Sequence, residues 1–185
     1  KMIDEREFWP IFEVAEELDV PIYLHPADPD KTVTERYYSP YDKSHPMVTR
    51  AAWGFGIETG TQAVRLILSG IFDRYPKLKI FLGHFGEAIP FWLPRIHESF
   101  TRPGNENIDF NRIFKENFWI TTSGFFSDNA LELCLKVLNA EKILFAVDWP
   151  YANNKVGVDW LANAPIDKHT KKLIFSENAQ NLFNL

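Results

Sequence analysis

The 185-residue chain carries 20 basic and 25 acidic side chains, a formal charge of −5, with 45% hydrophobic and 15% aromatic residues. This is the composition of a single folded domain with a sizeable core, and no Lys/Arg run is long enough to follow a nucleic-acid backbone. No apolar run approaches the roughly 20 residues of a membrane span, the amino terminus has no signal-like apolar region, and the lone Cys134 excludes an internal disulfide, so the expectation is a cytoplasmic protein without a membrane partner.

In chain order, the first predicted element is an amphipathic helix with Phe8, Ile11, Phe12, Ala15 and Leu18 on one stripe. Asp19-Val20-Pro21 then turns the chain into a strand that ends at His25. A long irregular stretch from Pro26 to about Gly56 follows, with four prolines, three tyrosines and the pair Trp53-Gly54. The spacing of Ala63, Val64, Ile67, Leu68 and Ile71 predicts a helix over 58–72, leading to a second strand that ends at His84.

A helix over 86–100 is expected directly after His84, with Pro90 tolerated in its first turn and Pro94 bending it. The run 118–123 reads as a third strand, and 128–138 as a helix capped by Ser127 or Asp128 with Leu131, Cys134, Leu135 and Leu138 on one face. A fourth strand, 143–148, ends on Asp148. The last twenty residues read as one or two short helices packing Leu173, Ile174, Leu182 and Phe183.

Four apolar, β-branched runs separated by helices are the pattern of buried parallel strands. They make about half of an eight-fold barrel, which typically takes about 250 residues, so an amino-terminal portion is expected to precede this chain. Ligand sites in such folds lie at the carboxyl ends of the strands, where His25, His84 and Asp148 all fall. An imidazole and a carboxylate there suit a divalent ion such as Zn²⁺ or Mn²⁺, with Mg²⁺ as a third option. A carboxylate ending an apolar strand also requires a cation or a proton to offset its desolvation. Glu87, three residues after His84, can fix the tautomer of that ring, or simply complement a helix N-terminus. His45, His97 and His169 are assigned to the surface.

Tyr23-Leu24-His25-Pro26, Leu82-Gly83-His84-Phe85-Gly86-Glu87 with Pro90 and Arg95 after it, Asn117 to Gly124, Asp148-Trp149-Pro150 and Asn178 to Phe183 stand in an order that resembles the amidohydrolase-related decarboxylases. Within that group the chain looks most like the γ-resorcylate (2,6-dihydroxybenzoate) decarboxylases. The resemblance implies a (β/α)8 TIM barrel of the metal-dependent hydrolase type, residues 1–185 being the carboxy-terminal portion of one barrel domain and supplying about its last four strand-helix units. It makes His25 and Asp148 metal ligands, Asp148 the proton donor, and His84 a catalytic and substrate-binding imidazole supported by Glu87. It also makes Trp53, Phe55 and Trp149 an aromatic wall, and Arg95 a substrate-binding residue that reaches a neighbouring subunit of a dimer or tetramer. The family's amino-terminal His-x-His or Glu-x-His pair has no counterpart here: no two of the five histidines are two apart and no Glu stands two before a His.

The function so implied is metal-dependent, non-oxidative decarboxylation of a small aromatic hydroxy acid by the full-length enzyme. A metal-dependent hydrolase of the same fold, acting on an ester, lactone or amide, is the alternative. An inactive truncated fragment is the third reading.

Overall fold

The computed structural model describes residues 1–185. Its sheet has four parallel strands in sequential order, β1 (Ile22–Leu24), β2 (Ile80–Leu82), β3 (Phe118–Thr121) and β4 (Ile143–Leu144). Leu24 pairs with Leu82, Leu82 with Ile120, and Ile120 with Ile143, so these four share one level. Sequential parallel order with a crossover between each pair is the topology of a (β/α) barrel.

Helices cover one face: α1 (Trp9–Glu17), α2 (Gly54–Leu68), α3 (Ile89–Phe100), α4 (Phe110–Asn117), α5 (Asp128–Val137) and α6 (Asn154–Asn163), with α7 (Lys168–Lys172) and α8 (Asn178–Phe183) near the carboxyl end. Leu24, Ile80, Leu82, Phe118, Ile120 and Ile143 point toward them and are buried. Phe118 packs between Phe72 and Phe114 at 5.5 and 5.2 Å between ring centroids. The alternate residues Tyr23, Phe81, Trp119 and Thr121 occupy the opposite face, which would line a barrel interior.

Helix starts follow local polar chemistry. Asp109, Ser127, Asn153 and Asp167 each accept backbone N–H bonds at the first turns of α4, α5, α6 and α7. Two buried asparagines brace the approaches to strands. The Asn117 amide donates to the carbonyls of Pro76 and Leu78 at 2.9 Å, and Asn178 to those of Ala140 and Ile143. Cys134 is buried in α5, and burial pushes its thiol up to about 12.

Several sequence expectations need correction. In α1 the buried stripe is Trp9, Phe12 and Ala15, while Ile11 and Leu18 face outward, because the helix turns its larger aromatic side chains to the core. The stretch after His25 contains short helical turns at Lys31–Val33, Thr34–Tyr38 and Pro46–Val48, and α2 begins at Gly54. Helix α3 runs through Pro94 without interruption and begins only at Ile89. The strands are shorter than the apolar runs, β4 covering two residues. Helices α4 and α6 add to the expected elements, each with its own cap residue, Asp109 and Asn153. Phe183 remains substantially exposed, although its ring meets Phe81 at 6.2 Å.

Candidate active site at the strand carboxyl ends

Beyond β2 the chain does not enter a helix. His84, Phe85, Gly86, Glu87 and Ala88 all have positive φ, from 47° to 81°, forming one left-handed turn. Non-glycine residues in this region carry strain, and a run of them persists only where the surroundings hold it. The turn brings Glu87 back onto its neighbour three residues earlier: His84 Nδ1 donates to Glu87 Oε1 at 2.8 Å. Glu87 is therefore not a helix N-terminal carboxylate, the alternative open in the sequence, because α3 starts two residues later. Its side chain is buried, and Gly56 in the first turn of α2 packs against it, a Cβ there lying 3.1 Å from Glu87 Oε2.

With Nδ1 committed to Glu87, His84 presents Nε2 to Asp148, whose Oδ2 lies at 4.0 Å. The hydrogen bond that His84 donates to Glu87 raises the His84 pKa from its ordinary value; burial opposes this, and the charges of Glu87 and Asp148 reinforce it. Asp148 itself has φ 68°, and its carbonyl accepts from the backbone N–H groups of Tyr151 and Ala152. Thr122 carries β4 toward it: the Thr122 hydroxyl donates to the Ala146 carbonyl at 2.6 Å and accepts from the Ala146 N–H at 3.0 Å. A side chain thus continues the ladder where backbone pairing stops.

His25 stands just past β1, exposed, with Nδ1 donating to the Pro26 carbonyl at 2.8 Å. A carbonyl can only accept, so Nδ1 carries a proton, and in the neutral ring this leaves Nε2 as the nitrogen available to a metal. No three His, Cys, Asp or Glu side chains are grouped to hold an ion. An imidazole and a carboxylate such as those of His25 and Asp148 are of the donor type a divalent ion takes.

The other sequence candidates lie on several elements. Trp53, at the N-terminus of α2, and Trp149 are both largely exposed, and Phe55 is half-buried in the first turn of α2. Arg95 lies on the outer side of α3, exposed in a shallow groove with Val64, Trp92, Ile96, Ser99 and Phe100. Tyr23, Thr121 and Ser123 stand in the motifs that carry the resemblance but have no role assigned from sequence; their hydroxyls bond to one another across the sheet. Their signal was the polar end of an apolar strand, Thr121-Thr122-Ser123, level with His25.

Sequential parallel βα units with a histidine and an aspartate brought together at the strand carboxyl ends are the architecture of part of a (β/α) barrel, with the candidate site on the face such barrels use. The amidohydrolase profile matches residues 3–185, and the chain belongs to that family. It is 40% identical over 190 residues to the γ-resorcylate decarboxylase of Polaromonas sp. (strain JS666), covering 98% of this chain and 56% of that protein. Among solved structures, a dihydroxybenzoic acid decarboxylase from Polaromonas sp. JS666 with bound manganese and the inhibitor 2-nitroresorcinol superposes with a TM-score of 0.90 at 39% identity, covering all of this chain and 55% of the other. A 2,6-dihydroxybenzoate decarboxylase complexed with 2,6-dihydroxybenzoate gives 0.88 at 35% identity, covering 99% and 56%. The chain spans about half the length of these relatives, and no helix is long and apolar enough to cross a membrane.

Proposed function

We propose that the full-length protein carrying this chain is a metal-dependent decarboxylase of aromatic ortho-hydroxy acids such as 2,6-dihydroxybenzoate. The observation that carries this reading is the His84–Asp148 pair, held 4.0 Å apart at the strand ends with His84 locked by Glu87, in a chain 40% identical to a γ-resorcylate decarboxylase. Residues 1–185 are then the carboxy-terminal portion of a single barrel domain. The remaining ligands come from its amino-terminal portion, and this chain alone turns over little or no substrate.

Asp148 delivers the proton to the ring carbon that bears the carboxylate. The electron pair of the breaking carbon–carbon bond returns to the ring, and carbon dioxide leaves. His84, its Nδ1–H held by Glu87, offers Nε2 to the carboxylate of Asp148 or of the substrate and balances the charge that moves between them. His25 and Asp148 would hold a divalent ion, Mn²⁺ ahead of Zn²⁺ because a manganese-bound relative supports it. Such an ion supplies positive charge that orients the acid and phenolic oxygens and draws electron density from the ring.

Trp53, Phe55 and Trp149 form the aromatic side of the pocket. The exposure of Arg95 on the outer side of α3 supports a role toward a neighbouring subunit, in an assembly of at least two copies. A single buried cysteine supports a cytoplasmic setting. The test is to assay the full-length protein with Mn²⁺ against hydroxybenzoates for carbon dioxide release, alongside esters, lactones and amides. Release from 2,6-dihydroxybenzoate is expected, and hydrolysis without carbon dioxide release would replace this reading with a hydrolase.

A further inference from the structure

Below the His84–Asp148 pair three hydroxyls close on one another. Tyr23 Oη lies 2.9 Å from Thr121 Oγ1 and 2.7 Å from Ser123 Oγ, and the latter two are 2.5 Å apart. Three O–H donors and three acceptors can close a ring in which each hydroxyl donates to the next, so none is left unpaired. Thr121 and Ser123 are buried, and Tyr23 reaches them from β1 by crossing in front of β2. Only a residue without a side chain leaves room for that crossing: a Cβ on Gly83 would lie 2.9 Å from Tyr23 Oη and 3.4 Å from the Ser123 Cβ.

The ring therefore touches both arms of the site. On one side it packs on Gly83, the residue before His84. On the other it includes Ser123, whose φ of 33° begins a left-handed step into Gly124 at 74°. A Cβ on Gly124 would lie 3.2 Å from the Cβ of Asp148 and 3.3 Å from that of Ala152, so this turn rests directly against the aspartate. An unbroken path of contacts runs from Gly83 through the ring to Ser123, Gly124 and Asp148.

We propose that the Tyr23–Thr121–Ser123 hydroxyl ring is a positioning device that ties the His84 turn to the Asp148 turn and sets their separation. The three residues act through the two backbones and are positioning residues. The kinetic part of the test rests on the decarboxylase reading; the structural part does not.

The experiment uses the full-length protein with ¹⁵N-labelled glycine, as unmutated protein and as Tyr23→Phe, Thr121→Val and Thr121→Ser variants. Loss of one hydroxyl in Tyr23→Phe or Thr121→Val should move the amide signals of both Gly83 and Gly124 while leaving Gly70 and Gly104 in place. In decarboxylation it should lower kcat by about tenfold or more with KM changed less than about twofold, as expected when reacting groups are displaced rather than binding lost. Thr121→Ser, which keeps the hydroxyl, should restore both readouts. A double Tyr23→Phe/Thr121→Val variant should lose little more than either single one, since one break opens the ring. Movement of Gly83 alone in Tyr23→Phe, or additive losses in the double variant, would overturn the proposal. If both glycines move but the unmutated protein releases no carbon dioxide, the coupling stands and the decarboxylase reading falls.

Discussion

His84 Nδ1 donates to Glu87 Oε1 at 2.8 Å across a turn of five successive left-handed residues, so the backbone strain and the hydrogen bond sustain one another. Removing the acceptor's charge tests how much of the site depends on it. In Glu87→Gln, His84 should titrate closer to its ordinary value of 6.5, as followed by imidazole NMR. A histidine whose folded pKa is raised gives stability that is fully present below the unfolded value and is lost as pH rises through the folded one. The variant should therefore be destabilised more near about pH 6 than near about pH 9, where the neutral ring can still donate to an amide oxygen. Equal destabilisation at both values would show that Glu87 serves packing alone. Turnover by the full-length protein should fall about 10- to 100-fold.

On the proposed mechanism, Asp148→Asn separates proton delivery from ligation. The backbone carbonyl of residue 148 can still accept from the N–H groups of Tyr151 and Ala152, but the side-chain amide cannot donate an acidic proton. Decarboxylation by the full-length protein should fall by about 10³-fold or more while thermal unfolding stays near that of the unmutated protein. Residual turnover above a tenth would remove Asp148 from the proton-donor role.

Lys142 lies at the opposite end of the sheet, its Nζ 3.3 Å from the centroid of the Trp119 ring and donating to the Glu116 carbonyl at 2.7 Å. Burial pushes its ammonium down to about 8, outweighing the attraction of Glu116. Since the folded value lies below the ordinary 10.5, the charged form is disfavoured by folding, and its cost is relieved as pH rises through the folded value. Tryptophan fluorescence should change with a midpoint near 8 as the cation leaves the ring face, and Lys142→Met should abolish that step. A step that survives the substitution belongs to another group.

Thr122 is fully buried and satisfies both the carbonyl and the N–H of Ala146 with one hydroxyl. Thr122→Val keeps the shape and removes both bonds, leaving two backbone groups unpaired at the edge of the site. The expected cost is about 2 kcal/mol or more, read as a lower denaturant midpoint with an unchanged slope. A loss under about 0.5 kcal/mol would mean that water replaces the hydroxyl.

The parallel α/β architecture is legible before folding, because Ile22, Leu24, Ile80, Leu82, Phe118, Ile120 and Ile143 are apolar at positions a buried strand requires, and burial is a property that composition and period report. The sequence also named His84, Glu87 and Asp148, since a titratable side chain after an apolar run stands out against its neighbours. How these residues meet depends on packing between distant parts of the chain. Nothing in Gly83-His84-Phe85-Gly86-Glu87-Ala88 announces five positive φ angles, which non-glycine residues adopt when the packing around them compensates the strain. Arg95 and Trp92 read as part of a helix, but which side of α3 they face followed from its docking on the sheet. The hydroxyl ring lies furthest from the reach of sequence: Tyr23 and Ser123 are 100 residues apart, and their 2.7 Å contact exists because β1, β2 and β3 are in register and Gly83 leaves the space between them empty.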